Sequence, residues 1–269
     1  MKIKNSVSKA KSSKELKKEA KIALTGNYTI MIVSILIIGV LSAAANGQIR
    51  LSSSLRSTEN LLLLFFIAGL SIIFSIIIYI ASYFLQFGMK YMALKISRHE
   101  KARIEDLFYA FTHRPKKVLT MCLLKLLIFA AGFIPYFIFA AVGMFLALFH
   151  NAMIAFYVLL GIGAVITLVV DYYFLLRLML SVYIFIDNTE LGVVEILKKS
   201  AYYMKGNVRR ALYLGVSFIG LYVLGIFTCF IGFYWISPYM HVTFAGFYND
   251  IVRPAKPKPD WRPFISYAG

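Results

Sequence analysis

Acidic residues, cysteines and histidines are all scarce in this chain, and each scarcity removes a class of explanation. Its 269 residues include 12 Asp and Glu, 2 Cys and 4 His. Cys122 and Cys229 lie inside apolar runs, so they read as small buried hydrophobes and offer no disulfide framework. His99, His113, His150 and His241 are scattered over three loops and one apolar run, with no HExxH or related ligand spacing. No metal and no cofactor is expected. Phosphate-cradling Gly-Lys loops, Gly-x-Ser-x-Gly elbows and zinc-ligand cysteine clusters are all missing from the sequence. Ser34, Ser42, Ser71, Ser75, Ser82, Ser181 and Ser217 fall in apolar runs, where a hydroxyl more often packs helices than attacks a substrate. With no convergent acid, base or nucleophile, the chain reads as a non-enzyme.

Apolar residues are abundant instead: 60% of the chain, with a mean hydropathy of +0.75, well above the ~45–50% of soluble domains. They come in unbroken blocks. About 20 consecutive apolar residues are needed to carry a helix across ~30 Å of hydrocarbon, where no water can satisfy the backbone. Residues 28–45, 61–87, 118–149 and 152–186 reach that length, and 211–248 is long enough for two passes. The fold class expected is all-α, a polytopic membrane bundle.

Positive charge is the second abundance, 29 Lys and Arg for a net +17. Eight of these lie in 1–27, eight in 88–117, five in 188–210 and four in 249–269, against Arg50 and Arg56 in the other connections. Charge spread over helix ends, and not gathered on a domain, argues against a nucleic-acid partner and for anionic lipids of the cytoplasmic leaflet. Lys and Arg near spans stay on the cytoplasmic side, so both termini are placed inside. Six spans near 28–45, 61–87, 118–149, 152–186, 211–230 and 233–248 satisfy that rule. A five-span alternative would leave the tail outside. Three regions follow: a basic amphipathic segment 1–27, a membrane domain 28–248 and a basic Pro-rich tail 249–269. The connection 46–60 is an outer loop, and Phe233-Tyr234-Trp235 before Pro238 marks an outer turn. The first apolar run is too long, and its basic prelude too extended, for a cleaved signal peptide, so it is expected to stay as the first span.

The cytoplasmic segments repeat. Glu15, Glu105 and Glu195 each open a stretch leading into a pair of spans, and Gly26-Asn27 and Gly206-Asn207 close the first and third. Ile104, Leu107, Phe108 and Phe111 follow the i, i+3, i+4, i+7 stripe of an amphipathic helix, as do Val193, Val194, Leu197, Ala201 and Met204. The unit expected is an interfacial helix, a sharp turn and a transmembrane hairpin, three times over. Glu15, Gly26, Asn27, Glu105, Glu195, Gly206 and Asn207 are its structural residues.

These residues carry a resemblance. Lys14-Glu15-Leu16-Lys17 through Ala20 to Gly26-Asn27 resembles the start of the DUF975 family of bacterial integral membrane proteins. Glu105-Asp106-Leu107-Phe108-Tyr109-Ala110-Phe111 resembles its middle motif. Tyr183 to Asn188, Glu190-Leu191-Gly192, Glu195, Ser200 and Met204-Lys205-Gly206-Asn207 resemble its best-marked region. Pro238-Tyr239 and Ala245-Gly246-Phe247-Tyr248 resemble its end. A more distant likeness is to the non-catalytic membrane domain of some glycerophosphodiester phosphodiesterases. The resemblance implies a multi-pass architecture in a bacterial cell membrane and no reaction. The chain departs from the pattern in its charged tail and in Val182, where the family leads one to expect proline.

Three charges lie inside apolar runs: Lys125, Asp171 and Arg177. On insertion scales such a charge costs at least ~2.5–3.5 kcal/mol, so it calls for a partner or a wet cavity. Asp171 and Lys125 suit an interhelical pair or a substrate path, and Arg177 is close enough to the cytoplasmic end to snorkel. Lys17, Lys18, Lys116, Lys117, Lys198, Lys199, Arg209 and Arg210 are the lipid-contact candidates. The function expected is a non-enzymatic binder of lipid, hydrophobic peptide or another membrane protein. The alternative is a secondary transporter or an export or immunity component.

Overall fold

Backbone in hydrocarbon must satisfy its own hydrogen bonds, and the chain does so with helices. A computed structural model describes residues 10–54, 61–150, 152–229 and 231–252, and no strand occurs among them. Helix α1 (Ser13–Leu24) meets α2 (Tyr28–Ser54) at 95°. Helix α3 (Leu61–Ser97) runs for 37 residues, about 55 Å. A 3-10 turn at Ile104–Phe108 leads into the single-turn α4 (Tyr109–Thr112). Helices α5 (Pro115–Gly132) and α6 (Ile134–His150) form one path interrupted at Phe133, with Pro135 in the first turn of α6. Helix α7 (Met153–Leu178) returns and continues, after a break at Met179-Leu180, as α8 (Ser181–Asp187). Then follow α9 (Val193–Met204), α10 (Val208–Val216), α11 (Ile219–Phe227) and α12 (Phe233–Val252).

Four paths among the described residues are long and apolar enough to cross a membrane: Phe65–Ser97, Pro115–His150, Met153–Asp187 and Val208–Phe227. The bent pair of α1 and α2 brings the number to five. Only 11% of the most apolar stretch is buried in each of the first three, so most of these side chains face the lipid. Helix α12, expected as a sixth span, is less apolar, because protein surrounds its second half: Val242, Thr243, Ala245, Phe247 and Tyr248 are all buried.

Several expected boundaries move. The outer loop 46–60 is helical as far as Ser54, and 55–60 lie outside the described residues. Helix α3 does not stop at residue 87. Met89, Met92, Ala93, Leu94 and Ile96 keep an apolar face that is buried in the core, and no proline interrupts it. The expected outer turn moves toward the N-terminus: α11 ends at Phe227, Cys229 has φ +51°, and Phe233-Tyr234-Trp235 opens α12. Pro238 therefore sits in the second turn of that helix, where its missing N–H costs one backbone bond. The tail begins after Val252, and 253–269 lie outside the described residues.

The core gathers at the basic end. Leu16 and Leu24, Phe87, Met92 and Ile96, Leu107, Met121, Ile184 and Phe185, Ile196, Leu214 and Tyr248 are all essentially inaccessible. This packing corrects the expectation of helices lying apolar-side-down on lipid. Leu16, Ala20, Ala23 and Leu24 of α1, and Val193, Ile196, Leu197 and Met204 of α9, spend their apolar stripes on protein.

Candidate functional site

The first and third basic segments share their local geometry at both ends. The Glu15 carboxylate accepts from the backbone N–H of Ser12 (2.7 Å), and Glu195 accepts from that of Gly192 (3.1 Å). Such a contact satisfies an amide that the helix itself leaves free. At the other end Gly26 (φ +84°) and Gly206 (φ +87°) adopt the left-handed conformation that lets each helix turn sharply. Asn27 and Asn207 donate back to the carbonyls of Ala23 (3.4 Å) and Tyr203 (3.0 Å). In the middle copy the capping carboxylate is Asp106, which accepts from Arg103 N–H (2.7 Å) and pairs with Lys95 (2.8 Å). The expected Glu105 is exposed and lies one position off. Arg114, at φ +53°, stands where the other copies have glycine. From cap to left-handed residue the middle copy spans 11 residues, against 14 in the others. One turn is lost, and the expected amphipathic helix becomes the 3-10 turn and α4. Leu107 and Ala110 are buried while Ile104, Phe108 and Phe111 stay exposed. Gly88 makes room for this segment, since a Cβ there would strike the Leu107 carbonyl.

Several lipid-contact candidates are occupied within the protein. Lys17 donates to the Ser217 carbonyl (2.7 Å) and lies 4.1 Å from the Phe218 ring centroid. Burial there holds its ammonium below the ordinary lysine value. Lys117 donates to the carbonyls of Thr189, Glu190 and Leu191, and Arg210 pairs with Asp250 (2.6 Å). Lys199 is half-buried over Tyr203. Lys18, Lys116, Lys198 and Arg209 are exposed.

A polar network missed by sequence reasoning ties the motifs together. Arg98, just past α3, holds Asp187 through two bonds (2.9 and 2.7 Å) and also reaches Asn249 (3.3 and 3.2 Å). Tyr248 donates to the same carboxylate (2.9 Å), and its ring stacks on Tyr183 at 5.3 Å. The Tyr183-to-Asp187 and Phe247-Tyr248 motifs, 60 positions apart in the chain, thus meet at one point.

The intramembrane charges do not pair as expected. Arg177 donates to Tyr173 Oη (2.7 Å) and the Ala201 carbonyl (3.0 Å), while its own carbonyl accepts from Ser200 Oγ (2.8 Å). It anchors α7 to α9. The Asp171 carboxylate packs against Gly132, where a Cβ would strike it, and its buried Oδ1 has no partner among the described residues. Lys125 is elsewhere, with its Nζ 6.0 Å from the Tyr83 ring centroid and Lys90 as an electrostatic neighbour. Tyr83 Oη is likewise buried without a partner among the described residues. Lys90 escaped notice because it counts with the basic segment 88–117. Its place in an unbroken α3 could have been found only from the apolar face that continues beyond residue 87.

A cavity of about 790 Å³ opens between α3 and α5, walled by Ile72, Ser75, Tyr79, Cys122, Leu123 and Leu126. Its size is that of a small-molecule site. The hydroxyls of Ser71 and Ser75 are turned back onto their own helix, donating to the carbonyls of Ile67 (2.8 Å) and Ser71 (2.7 Å), which leaves the wall apolar.

The family described as protein of unknown function (DUF975) matches residues 1–255, and the chain belongs to it. No curated protein and no solved structure matches the chain.

Proposed function

We propose that this DUF975 protein is a non-enzymatic, multi-pass protein of the bacterial cell membrane that holds a membrane lipid in the cavity between α3 and α5. Six spans with both termini cytoplasmic complete the reading, in agreement with the distribution of Lys and Arg. The observation that carries it is the cavity itself, about 790 Å³, open to the surroundings and walled almost wholly by apolar surface of α3 and α5. Exposed Ile72, Ile76 and Leu123 extend the same surface. Lys18, Lys116, Lys198 and Arg209 would rest on anionic headgroups at the cytoplasmic surface.

The test is lipid analysis of protein purified in mild detergent, wild type against Ser75→Phe, which fills the cavity. Wild type should retain bound lipid through purification, and Ser75→Phe should lose most of it while eluting as the same species. Equal retention by the two proteins would sink the proposal.

A further inference from the structure

A second cleft, of about 360 Å³, lies at the basic end between the start of α1 and the first turns of α10. Lys11, Ser13, Arg209, Arg210 and Tyr213 stand in its wall, over the buried ring of Phe247 from α12. No carboxylate of the described residues lines it. Three cations in so small a space repel one another unless something answers each of them.

Arg210 is answered and held in place. Its guanidinium pairs with Asp250 (2.6 Å), donates to the Lys11 carbonyl (2.9 Å) and the Asn207 side chain (3.0 Å), and lies 5.3 Å from the Phe247 ring centroid. The backbone N–H of Lys11 reaches the same Asp250 carboxylate (3.3 Å), which fixes the chain at the edge of the cleft. The Lys11 ammonium is answered only at the surface, by Glu19 (2.7 Å), whose side chain keeps 52% of its exposure, so solvent weakens that pair. Glu15, close by in sequence, is turned to the N–H (2.7 Å) and hydroxyl (3.0 Å) of Ser12. Arg209 is exposed and has no ion-pair partner among the described residues. One positive charge of the wall is thus left over, which matches the single negative charge of a phosphodiester.

The height of the cleft decides between a lipid and a soluble anion. Arg209 and Arg210 occupy the first turn of α10, at the edge of the apolar path Val208–Phe227. Exposed Tyr213 and Val216 follow Arg209 at i+4 and i+7, on the same face of the helix. A tyrosine there suits the boundary between headgroups and hydrocarbon, and the face beyond it is apolar. We propose that this cleft is a headgroup site for an anionic phospholipid: the phosphate accepts from Arg209 and Lys11 in front of the fixed Arg210, and an acyl chain runs along α10 past Tyr213 and Val216. The site is separate from the cavity between α3 and α5 and does not depend on it.

Binding of phosphatidylglycerol and of phosphatidylcholine with identical chains is measured by native mass spectrometry on the full chain in detergent. The wild type should favour phosphatidylglycerol about tenfold, and Arg209→Gln should cut that preference about fivefold, the effect of one base near an anionic surface. Adding Lys11→Gln should remove most of the remainder, while Arg209→Lys should keep most of the wild-type preference. Lys101→Gln removes the same charge from an exposed position outside the cleft and should change nothing. Equal binding of the two lipids by the wild type, or an equal loss in Lys101→Gln and Arg209→Gln, would overturn the site. Displacement of the lipid by inorganic phosphate at comparable concentration would overturn the lipid as its occupant. Ser75→Phe should lower total bound lipid and leave the headgroup preference intact. Loss of the preference in that variant would move the headgroup to the α3–α5 cavity and overturn the present site, whereas unchanged total lipid there counts only against the cavity.

Discussion

Replacing Arg98 by methionine tests whether the polar network holds the basic end together. The Arg98 and Asp187 side chains keep only 17% and 19% of their exposure, so solvent screens the pair weakly. Asp187 is the last residue of α8, where the negative end of the helix dipole opposes a carboxylate and Arg98 offsets it. A hydrogen bond to a charged group contributes about 1.5–3 kcal/mol, and stranding one member of a buried pair costs about 3–5 kcal/mol. Residual exposure puts Arg98→Met at the low end, about 3 kcal/mol. For a chain this size that lowers Tm by about 6–12 °C. Membrane proteins in detergent unfold irreversibly, so the readout is the fraction surviving size-exclusion chromatography after heating at one fixed rate. The cost comes from the stranded carboxylate. Arg98→Met combined with Asp187→Asn should therefore lose about 2 kcal/mol less than the two changes added separately. A fall of under about 2 °C for Arg98→Met, or strict additivity in the double variant, would refute the reasoning.

Gly26→Ala and Gly206→Ala should each cost about 1 kcal/mol in the same assay. Among the described residues no atom lies near a new Cβ at either position, so the cost is backbone strain alone, and Asn, which tolerates the left-handed region, should be milder. Gly132→Ala drives a methyl into the Asp171 carboxylate and should lower thermal survival. Adding Asp171→Ala should restore most of it, and a failure of rescue would mean that Gly132 is needed for backbone reasons. Neutralising Lys18, Lys116, Lys198 and Arg209 together should weaken the preference for anionic lipid at the protein boundary, read with spin-labelled lipids, and raising salt should have the same effect on wild type. Neutralising Lys17 and Lys117 should instead lower thermal stability.

The membrane-like helices and the bracketed helices of the first and third basic segments could be read from the chain because they rest on local rules. Hydrocarbon thickness demands long apolar runs, and an N-terminal carboxylate with a C-terminal glycine brackets a short helix. The middle repeat was misread for a physical reason. Counting 90 residues from Glu15 lands on Glu105, but only the lost turn and the 3-10 geometry bring Asp106 to the free amide of Arg103. The candidate site was less legible still. Asp171 and Lys125 occupy comparable depths in adjacent runs, which invites pairing, yet depth leaves the direction of a side chain around its helix open. Lys125 turns toward Tyr83 on α3, and Asp171 toward Gly132 on α5. Lys90 looked like one more basic loop residue until α3 was seen to continue to Ser97.

The concentration of close packing at one end has a mechanical consequence. Below, buried side chains from every described helical segment but α6 and α11 pack into a common block, while above it the helix pairs stand as cantilevers with little burial. A tilt of 10° about that block carries the far end of a ~30 Å rod through about 5 Å, with no core contact broken. The gap between α3 and α5 can thus widen or narrow at its mouth while its lower end, nearer the block, keeps its width. The width of the gap at its mouth and at its lower end is in this way governed by different parts of the same helices.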